Sequence, residues 1–578
     1  MTEYESRFLK WKEKAGSEEL QRELLGLDKN VVELQDRFYK DLEFGTGGMR
    51  GIIGVGSNRI NIYTVRRTIQ GLANYLNRVA PTSKNQAVIA YDSRHKSREF
   101  ALEAALVLAK NQIKSYLFCE ITPTPLLSFA VRELGAQTGI VITASHNTKE
   151  YNGLKVYNCQ GGQITDELAN IITAEINQIA DEFAIETATQ EEAEQQGLLV
   201  WLHDEILTKY LDNTVRLVLN EKLIRKSAGN LNIVYSPLYG TGLVSVTRLF
   251  EKIGFTGLHI VTEQANADPD FPTLICPNPE EEAACVVALE QATRTDADLI
   301  LLTDPDADRI GVVVKAQDGS FLQLTGNQTG ALLIDYILRT KQQSRTIPAN
   351  GIIIKTIVTS DMGAEIAAKY GVGSLEVLTG FKYIGEKITE FETSHEYTYL
   401  FGYEESYGYL IGDFVRDKDA IQTSLCIAEM ALYHKINGSS LYQRLQDLFE
   451  EFGYYREHLL NTYFAGPLGP HKIEEIIGSF RKNPPPAIQK HGIVTIRDYL
   501  TGIATDFQSG TQTRLSFLPS NTIYYNLKDG AWCCIRPSGT EPKLKIYLGV
   551  RGKTASNAQR QLEELKTSLL SIIKPYQE

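Results

Sequence analysis

Three carboxylates follow an apolar stretch in the middle of the chain, where residues 304–309 read DPDADR. Carboxylates this close repel one another by about 1 kcal/mol per pair at 4 Å, even in water. A hard cation such as Mg²⁺ removes that penalty, and carboxylate oxygens are ligands that it prefers. The spacing of Asp304, Asp306 and Asp308 therefore favours a metal site, with a solvated acidic turn as the alternative.

Two other acidic motifs fit these residues less well. An EF-hand loop needs Gly at its sixth position and Glu at its twelfth, where this chain has Arg309 and Lys315. The phosphatase pattern D-x-D-x-[TV] accommodates Asp304 and Asp306 but has Asp308 at its fifth position. Neither motif replaces the metal-site interpretation.

A serine ends the apolar run of residues 139–142, in the sequence GIVITASHN. Ser145 is followed directly by His146, so this position is either a nucleophile beside a possible proton carrier or the cap of a following helix. Judged alone, a capping serine is the commoner case. The residues of the other polar loops distinguish a nucleophile from a helix cap.

Two loops combine glycine with basic or hydroxyl side chains, as phosphate-binding loops do. Residues 536–543 read RPSGTEPK, and residues 44–51 read FGTGGMRG. An ordinary turn is the alternative for each. The chain has neither a Walker A motif nor a G-x-S-x-G hydrolase elbow.

A fourth kind of loop, GYEESYG at residues 402–408, places Glu404 and Ser406 between glycines. Acceptors of this kind suit neighbouring sugar hydroxyls, although a polar turn that caps the next helix is equally compatible. Taken together, the four kinds of loop indicate phosphoryl transfer on a phosphorylated sugar or polyol.

The elements that position these loops repeat along the chain. A strand, a helix, a second strand and a third strand ending in a polar loop occur three times, with third strands at residues 139–147, 298–309 and 399–408. Apolar strands that alternate with helices predict parallel sheets covered on both faces. Ligands bind beyond the carboxyl ends of such strands, where all three polar loops lie. An amphipathic helix is predicted within residues 1–40, and a smaller α+β domain is predicted from about residue 470.

Bulk properties limit the class of protein. A chain of 578 residues is too long to fold around one hydrophobic core, so three to five domains of roughly 100–200 residues are expected. A net charge of −12 argues against general binding to nucleic acid or anionic membranes. The seven cysteines form no C-x-x-C pair, and the first residues lack an apolar signal core. We expect a cytoplasmic protein, and the sequence does not determine its oligomeric state.

The motifs TASHN, DPDADR, GYEES and RPSGTEPK, in this order, resemble those of the α-D-phosphohexomutase superfamily, which includes phosphoglucomutases and phosphomannomutases. The resemblance covers essentially the whole chain, although Thr148-Lys149 stand where many members have proline. It implies an α/β fold in which three related mixed α/β sheet domains and a C-terminal α+β phosphate-binding domain surround a central cleft. The expected domains are residues 1–215, 216–325, 326–465 and 466–578.

The resemblance also implies roles for residues. Ser145 would carry a phosphoryl group, with Lys155 and His146 as candidates for the general acid and base. One Mg²⁺ per chain would be held by Asp304, Asp306, Asp308 and the phosphorylated Ser145. Substrate contacts would come from Arg50 and Arg309 at the transferring group, Glu404 and Ser406 at sugar hydroxyls, a loop containing Thr379, Gly380 and Lys382, and a phosphate site of Arg536, Ser538, Gly539 and Thr540.

The implied reaction converts α-D-glucose 1-phosphate to glucose 6-phosphate and back, with glucose 1,6-bisphosphate as intermediate and activator. Alternatives on the same site are glucose-1,6-bisphosphate synthesis and the conversion of pentose or mannose phosphates. Alternatives of other classes are a metal-dependent sugar phosphatase and a non-catalytic sugar-phosphate binding protein. Sugar phosphates are the expected partners in every case.

Overall fold

A computed structural model describes residues 1–27, 30–79, 85–464, 469–538 and 543–577. The chain contacts divide it into two compact units. Unit 1 comprises Met1–Ile354 and Gly380–Tyr442, and unit 2 comprises Lys355–Thr379 and Gln443–Glu578. No helix within the described ranges is both long and apolar enough to cross a membrane.

The N-terminal segment forms three helices rather than one, α1 (Glu3–Lys14), α2 (Glu18–Leu27) and α3 (Val31–Phe38). Their apolar faces share a core around Trp11, which packs edge-on against Phe38 and Tyr63 at centroid distances of 6.0 and 5.5 Å. Asn30 begins α3 by accepting a hydrogen bond from the Glu33 backbone N–H. Residues 1–40 are thus amphipathic and helical, but the prediction of one helix is wrong, because the segment breaks after Lys14 and Leu27.

The first α/β region contains a seven-stranded sheet in the order β1-β2-β6-β5-β3-β4-β7. Strands β4, β3 and β5 are parallel, and β3 and β5 are almost completely buried, whereas β6 runs antiparallel to β5. The strands are β1 (Phe44–Gly45), β2 (Gly48–Ile52), β3 (Gln86–Tyr91), β4 (Lys114–Phe118), β5 (Thr138–Ile142), β6 (Tyr151–Asn158) and β7 (Leu199–Leu202). The helices are α4 (Ile62–Val79), α5 (Ser97–Lys110), α6 (Thr124–Leu134), α7 (Asp166–Asn177), α8 (Gln190–Gln195) and α9 (Asp204–Val215).

The second region contains a five-stranded sheet in the order β12-β11-β10-β8-β9. Strand β10 is parallel to β8 and antiparallel to β11, so this sheet is mixed as well. Its strands are β8 (Ile233–Ser236), β9 (Leu258–Ile260), β10 (Leu299–Thr303), β11 (Ile310–Lys315) and β12 (Phe321–Gln323). Its helices are α10 (Glu221–Ser227), α11 (Gly242–Ile253) and α12 (Glu282–Thr295).

The third region again alternates helices and strands, and β15 pairs antiparallel with β16. Its elements are α13 (Gly326–Gln343), β13 (Gly351–Thr356), α14 (Met362–Lys369), β14 (Gly373–Val377), α15 (Phe381–Ser394), β15 (Thr398–Glu404), β16 (Gly408–Leu410), α16 (Ala420–Ile436) and α17 (Leu441–Phe452). Helix α14 and strand β14 fall within unit 2.

The C-terminal part of unit 2 forms an antiparallel sheet in the order β17-β23-β22-β21-β18-β19-β20. Helices α18 and α20 pack against this sheet around a core of their own. The elements are β17 (Tyr454–Tyr463), α18 (Gly469–Lys482), α19 (Pro486–Gln489), β18 (Ile493–Asp498), β19 (Ile503–Asp506), β20 (Gln512–Arg514), β21 (Ile523–Leu527), β22 (Trp532–Pro537), β23 (Lys543–Gly552) and α20 (Ala555–Gln577). The predicted fold class, α/β regions followed by an α+β domain, is confirmed.

Candidate active site

The serine loop, residues 143–148, begins where the buried strand β5 ends. Ser145 has φ 51°, a left-handed backbone conformation that is uncommon outside glycine, and its N–H donates to the Thr143 hydroxyl at 2.7 Å. Residues held in such conformations cluster at functional sites, because the surrounding structure must stabilise them. Gly153 packs against this turn, and a Cβ there would lie 2.6 Å from the Thr143 carbonyl oxygen.

The serine side chain points to the predicted acidic residues. Ser145 Oγ donates a hydrogen bond to Asp304 Oδ2 at 2.8 Å and lies 3.1 Å from His146 Nδ1. Burial, together with the positive charge of Arg309, lowers the pKa of His146 well below its usual value. A neutral imidazole therefore stands next to the serine hydroxyl at physiological pH.

The metal loop, residues 304–309, connects β10 to β11. The backbone N–H groups of Asp308 and Arg309 donate to Asp304 Oδ1 at 3.1 and 3.0 Å, which folds the loop tightly. One oxygen from each of the three aspartates lies within 4.8 Å of the others, and all three side chains are buried. Oδ1 of Asp306 and Oδ1 of Asp308 are buried without a hydrogen-bond partner among the described residues. Buried acceptors of this kind suit a Mg²⁺ ion.

The pKa values of neighbouring aspartates shift in opposite directions. Burial, with repulsion from Asp306 and Asp308, raises the pKa of Asp304 well above its usual value. Burial opposes the charge of Asp306 too, but Lys155 outweighs it and lowers the pKa of that carboxyl. Lys155 thus keeps Asp306 ionised, whereas burial and the two neighbouring carboxylates oppose the ionisation of Asp304.

Lys155 enters the site from β6, next to the strand that delivers Ser145. Its ammonium lies 2.8 Å from Asp306 and 3.4 Å from Asp308. Burial disfavours the charge on Lys155, but attraction to the two aspartates is stronger and raises its pKa. Lys155 thus stays protonated, as an ion-pairing residue that can also contact a phosphoryl group.

A second lysine, Lys418, was not predicted to belong to the site. It lies 3.1 Å from Asp308 and 3.2 Å from Asp417, and Asp417 also accepts a hydrogen bond from the Tyr157 hydroxyl at 2.7 Å. Gly408 makes room for the lysine, because a Cβ there would lie 2.1 Å from Lys418 Cδ. The charged run RDKD at residues 416–419, directly before the apolar helix α16, was the sequence feature that could have revealed it.

The sugar loop, residues 402–408, connects β15 to β16 beside the metal loop. The Ile310 N–H donates to the Tyr407 carbonyl at 3.1 Å, which joins the two loops. Glu404 Oε1 accepts from the Gly380 N–H at 3.0 Å, and burial raises the pKa of Glu404 to about 7 despite the charge of Lys418. Ser406 is partly exposed in the same loop.

The remaining predicted contacts are divided between the units. In unit 1, Arg50 donates to the Asn147 side chain at 2.7 Å, Arg309 pairs with Glu280 at 2.6 Å, and Lys382 lies 3.6 Å from Asp166. Thr379 belongs to unit 2. The structure thus brings the serine, metal and sugar loops together within unit 1.

The predicted phosphate site lies in unit 2, where β22 ends. Arg536 is in that strand, and the Ser538 N–H donates to the Lys543 carbonyl at 2.8 Å, closing the two ends of the loop. Gly539 and Thr540 lie outside the described residues. This loop stays a prediction for the non-reacting phosphate.

Comparison with known families assigns the chain. Domains I, II and III of the phosphoglucomutase/phosphomannomutase family, each described as α/β/α, match residues 41–183, 208–319 and 325–452. A phosphoglucomutase of Staphylococcus aureus is 36% identical over 520 residues, which cover 90% of this chain and 91% of the relative. This chain therefore belongs to the phosphoglucomutase/phosphomannomutase family, whose members are isomerases acting as intramolecular phosphotransferases.

Solved structures share the fold. Parafusin, a phosphoglucomutase from Paramecium, has a TM-score of 0.69 at 18% identity, covering 93% of this chain and 96% of that chain. The N-acetylphosphoglucosamine mutase of Aspergillus fumigatus, solved with GlcNAc-6P and magnesium, has a TM-score of 0.50 at 12% identity, covering 92% and 96%. The family is Mg²⁺-dependent, and the three aspartates of the metal loop form a group that could hold the ion.

Proposed function

We propose that this chain interconverts α-D-glucose 1-phosphate and glucose 6-phosphate, with Ser145 as the phosphorylated residue. The observation that carries the proposal is the 2.8 Å hydrogen bond from Ser145 Oγ to Asp304, within a buried group of three aspartates. The phosphoglucomutase relative, which the chain matches along nine tenths of its length, supports glucose phosphates as substrates. Phosphoryl transfer depends mainly on positioning and charge stabilisation, which this arrangement supplies.

The reaction consists of two transfers. In the first, the bond between phosphorus and Ser145 Oγ breaks, and a bond forms to the 6-hydroxyl oxygen of glucose 1-phosphate. The product is glucose 1,6-bisphosphate, which turns over within the site. In the second, Ser145 Oγ attacks the phosphorus at position 1, and glucose 6-phosphate leaves. Each transfer conserves the phosphoryl group, so no other donor is consumed.

A proton must move in each transfer. The proton that the 6-hydroxyl loses in the first step ends on Ser145 Oγ. In the second step, Ser145 Oγ loses a proton and the sugar oxygen at position 1 gains one. His146, neutral and 3.1 Å from Ser145 Oγ, is the residue suited to carry it. Lys155 stays charged beside Asp306, so we assign it to the phosphoryl oxygens rather than to the base.

Asp304, Asp306 and Asp308 would hold one Mg²⁺ with an oxygen of phosphorylated Ser145. The ion would supply positive charge to the transferring group. Phosphoserine carries roughly −1.5 to −2 charges at pH 7. The positive charges of Lys155 and Arg309 must therefore supplement the charge of the ion. The chain's own lysines and arginines therefore determine how well the site tolerates a second anion.

The other residues bind substrate. Glu404 and Ser406 would accept hydrogen bonds from sugar hydroxyls, and Arg50 would face the transferring phosphoryl group. The loop with Thr379, Gly380 and Lys382 would distinguish the two orientations of the sugar. The phosphate that does not react would be held by Arg536, Ser538, Gly539 and Thr540.

We propose four domains, residues 1–215, 216–325, 326–465 and 466–578, and a cytoplasmic location. The GlcNAc-6P bound by the Aspergillus mutase supports sugar phosphates as ligands.

A ³¹P NMR time course tests the reaction directly. The sample contains the purified protein, α-glucose 1-phosphate, Mg²⁺ and a trace of glucose 1,6-bisphosphate. A growing glucose 6-phosphate resonance is expected, with the total sugar phosphate unchanged. Inorganic phosphate would instead identify a phosphatase that transfers the group to water.

Two further results would redirect the assignment. Turnover that requires a stoichiometric acyl-phosphate or bisphosphate donor would identify a glucose-1,6-bisphosphate synthase. An unchanged spectrum with glucose, mannose and pentose phosphates would contradict the enzymatic assignment and leave a binding protein.

A further inference from the structure

One buried guanidinium binds four backbone carbonyl groups in and just after the serine loop. Arg94 Nη2 donates to the Ser145 carbonyl at 2.5 Å and also to the Asn147 carbonyl. Arg94 Nη1 donates to the carbonyls of Thr148 and Tyr151 at 2.7 and 3.2 Å. Hydrogen bonds from a charged donor are about twice as strong as neutral ones. Arg94 therefore fixes the path of the backbone on the C-terminal side of the serine.

Arg94 is itself held from two sides. Asp92 Oδ2 lies 3.4 Å from the guanidinium Nε, and both side chains are completely buried. The ring of Phe271, from the second α/β region, lies 5.1 Å from the centre of the guanidinium. A cation buried against a carboxylate and an aromatic ring has little freedom to move.

A thiol holds the carbonyl that Arg94 does not reach. Cys276 Sγ donates to the His146 carbonyl at 2.7 Å. Burial, with repulsion from Glu281, raises the pKa of Cys276 to about 12, so the thiol keeps its proton and remains a donor at neutral pH. Its position between Ser145 and Asn147 completes the row of bound carbonyls.

We propose that Arg94 and Cys276 are positioning residues that keep Ser145 in its left-handed conformation by binding the carbonyls of the serine loop. Without them the loop would relax, and Ser145 Oγ would leave its place beside Asp304. Neither residue needs to touch the substrate. The consequence for catalysis rests on the proposed function of Ser145, whereas the consequence for loop order does not.

Cys276 gives the more specific test of the positioning role, because two small substitutions separate the effect of hydrogen bonding from that of packing. Cys276→Ala removes the donor, and Cys276→Ser keeps one. Loss of a single hydrogen bond predicts that kcat falls about three- to tenfold in the alanine variant, with KM little changed. The serine variant should stay within about twofold of the wild type. Cys285→Ala, at a buried thiol in α12, is the matched control.

For the arginine, the test is Arg94→Lys, since lysine keeps the charge but cannot bind four carbonyls. Misplacement of a reacting atom by about 1 Å can cost roughly a hundredfold in rate, so a loss of that order in kcat is expected. Arg59→Lys is the control, because Arg59 is also buried but pairs with Asp36 in the N-terminal segment.

Hydrogen exchange followed by mass spectrometry reads loop order without relying on activity. Peptides covering residues 140–151 should exchange faster in Arg94→Lys and Cys276→Ala than in the wild type, and at the wild-type rate in Cys276→Ser. Equal exchange in Cys276→Ala, Cys276→Ser and the wild type would overturn the proposal, even if Arg94→Lys failed to fold. Equal kcat values for the alanine and serine variants would also contradict it.

The two proposals fail in different ways. A wild-type protein that does not convert glucose phosphates, but whose variants show the expected exchange pattern, would refute the proposed function and leave the positioning role intact. Normal conversion with unchanged exchange would do the reverse.

Discussion

The metal loop and the start of α16, both in unit 1, stabilise buried carboxylates differently. In the metal loop, Asp306 and Asp308 lie beside the ammonium groups of Lys155 and Lys418. At the start of α16, Asp419 instead accepts hydrogen bonds from the Tyr210 hydroxyl, at 2.8 and 2.7 Å, and from backbone N–H groups of the helix. Charge balances charge in the first region, and neutral donors satisfy a helix cap in the second.

The pKa values follow this difference. Burial opposes ionisation at both places, yet lysine lowers the pKa of Asp306, whereas the pKa of Asp419 rises to about 7. A carboxylate kept ionised inside a protein can bind a cation or a developing charge. The comparison therefore contrasts Asp306, which Lys155 keeps ionised, with Asp419, which neutral donors bind at the start of a helix.

Replacing Lys155 should have the largest effect. Lys155→Met removes the ammonium 2.8 Å from Asp306, and breaking such a buried pair costs about 3–5 kcal/mol. Asp308 keeps Lys418 as its counter-charge. We expect kcat/KM to fall at least about a thousandfold, since the same cation is assigned to the phosphoryl group. Lys149→Met, at a lysine about half exposed in the same segment, should stay near the wild type. Steady-state kinetics within fivefold of the wild type for Lys155→Met would refute the role of the ion pair.

The metal loop should lose its response to Mg²⁺ when an aspartate is neutralised. A ligand at a hundred times its Kd stabilises a protein by about 2.7 kcal/mol, so Mg²⁺ should raise the Tm of the wild type. Asp306→Asn should abolish most of that increase, whereas Asp296→Asn, at an exposed aspartate after α12, should retain it. Thermal unfolding across a Mg²⁺ series measures this, and equal increases in both variants would contradict the assignment of the ligands.

The ionisation of Glu404 should make the activity depend on pH. Its pKa of about 7 means that the acceptor form gains population as pH rises through neutrality. Between pH 6 and pH 8, kcat/KM should therefore rise by about tenfold from this group alone. Glu404→Gln should lower activity and remove that rise. A wild-type profile and a Glu404→Gln profile of the same shape would show that Glu404 does not titrate in this range.

Asp419 should affect stability rather than activity. An unfolded aspartate releases its proton near pH 4, whereas the folded one retains it until about pH 7, so the free energy of unfolding should fall as pH rises between these values. Asp419→Asn cannot ionise and can still cap the helix, so this loss, up to about 4 kcal/mol, should disappear. Urea unfolding at pH 5 and pH 8 measures it, with activity expected to remain within about twofold. An unchanged pH dependence would contradict the structural role.

The parts of the site that were predictable from sequence are those whose residues are neighbours in the chain. DPDADR holds its carboxylates within five positions, so their repulsion and the need for a cation follow from spacing alone. The alternation of strands and helices likewise predicted the α/β regions. A strand that is buried on both faces of its sheet appears in the sequence as a continuous apolar run.

Lys418 and Arg94 could not be found in this way. Lys418 is 110 residues from Asp308 in the sequence. The space that Gly408 leaves for the Lys418 side chain exists only in the folded chain. Arg94 follows β3 in the sequence YDSR, but its role depends on carbonyls that lie more than fifty residues further along. Backbone carbonyls carry no sequence signature, so residues that bind them emerge only from the structure.

Transfer of a labelled phosphoryl group tests the central claim most directly. The protein is incubated with radiolabelled glucose 1,6-bisphosphate, digested, and the labelled peptide is sequenced by mass spectrometry, before and after addition of unlabelled glucose 1-phosphate. We predict label on Ser145 that moves into sugar phosphates at the rate of turnover, and no label in Ser145→Ala. Label on another residue, or label that leaves Ser145 only as inorganic phosphate, would contradict the assignment of Ser145 as the carrier between the two ends of the sugar.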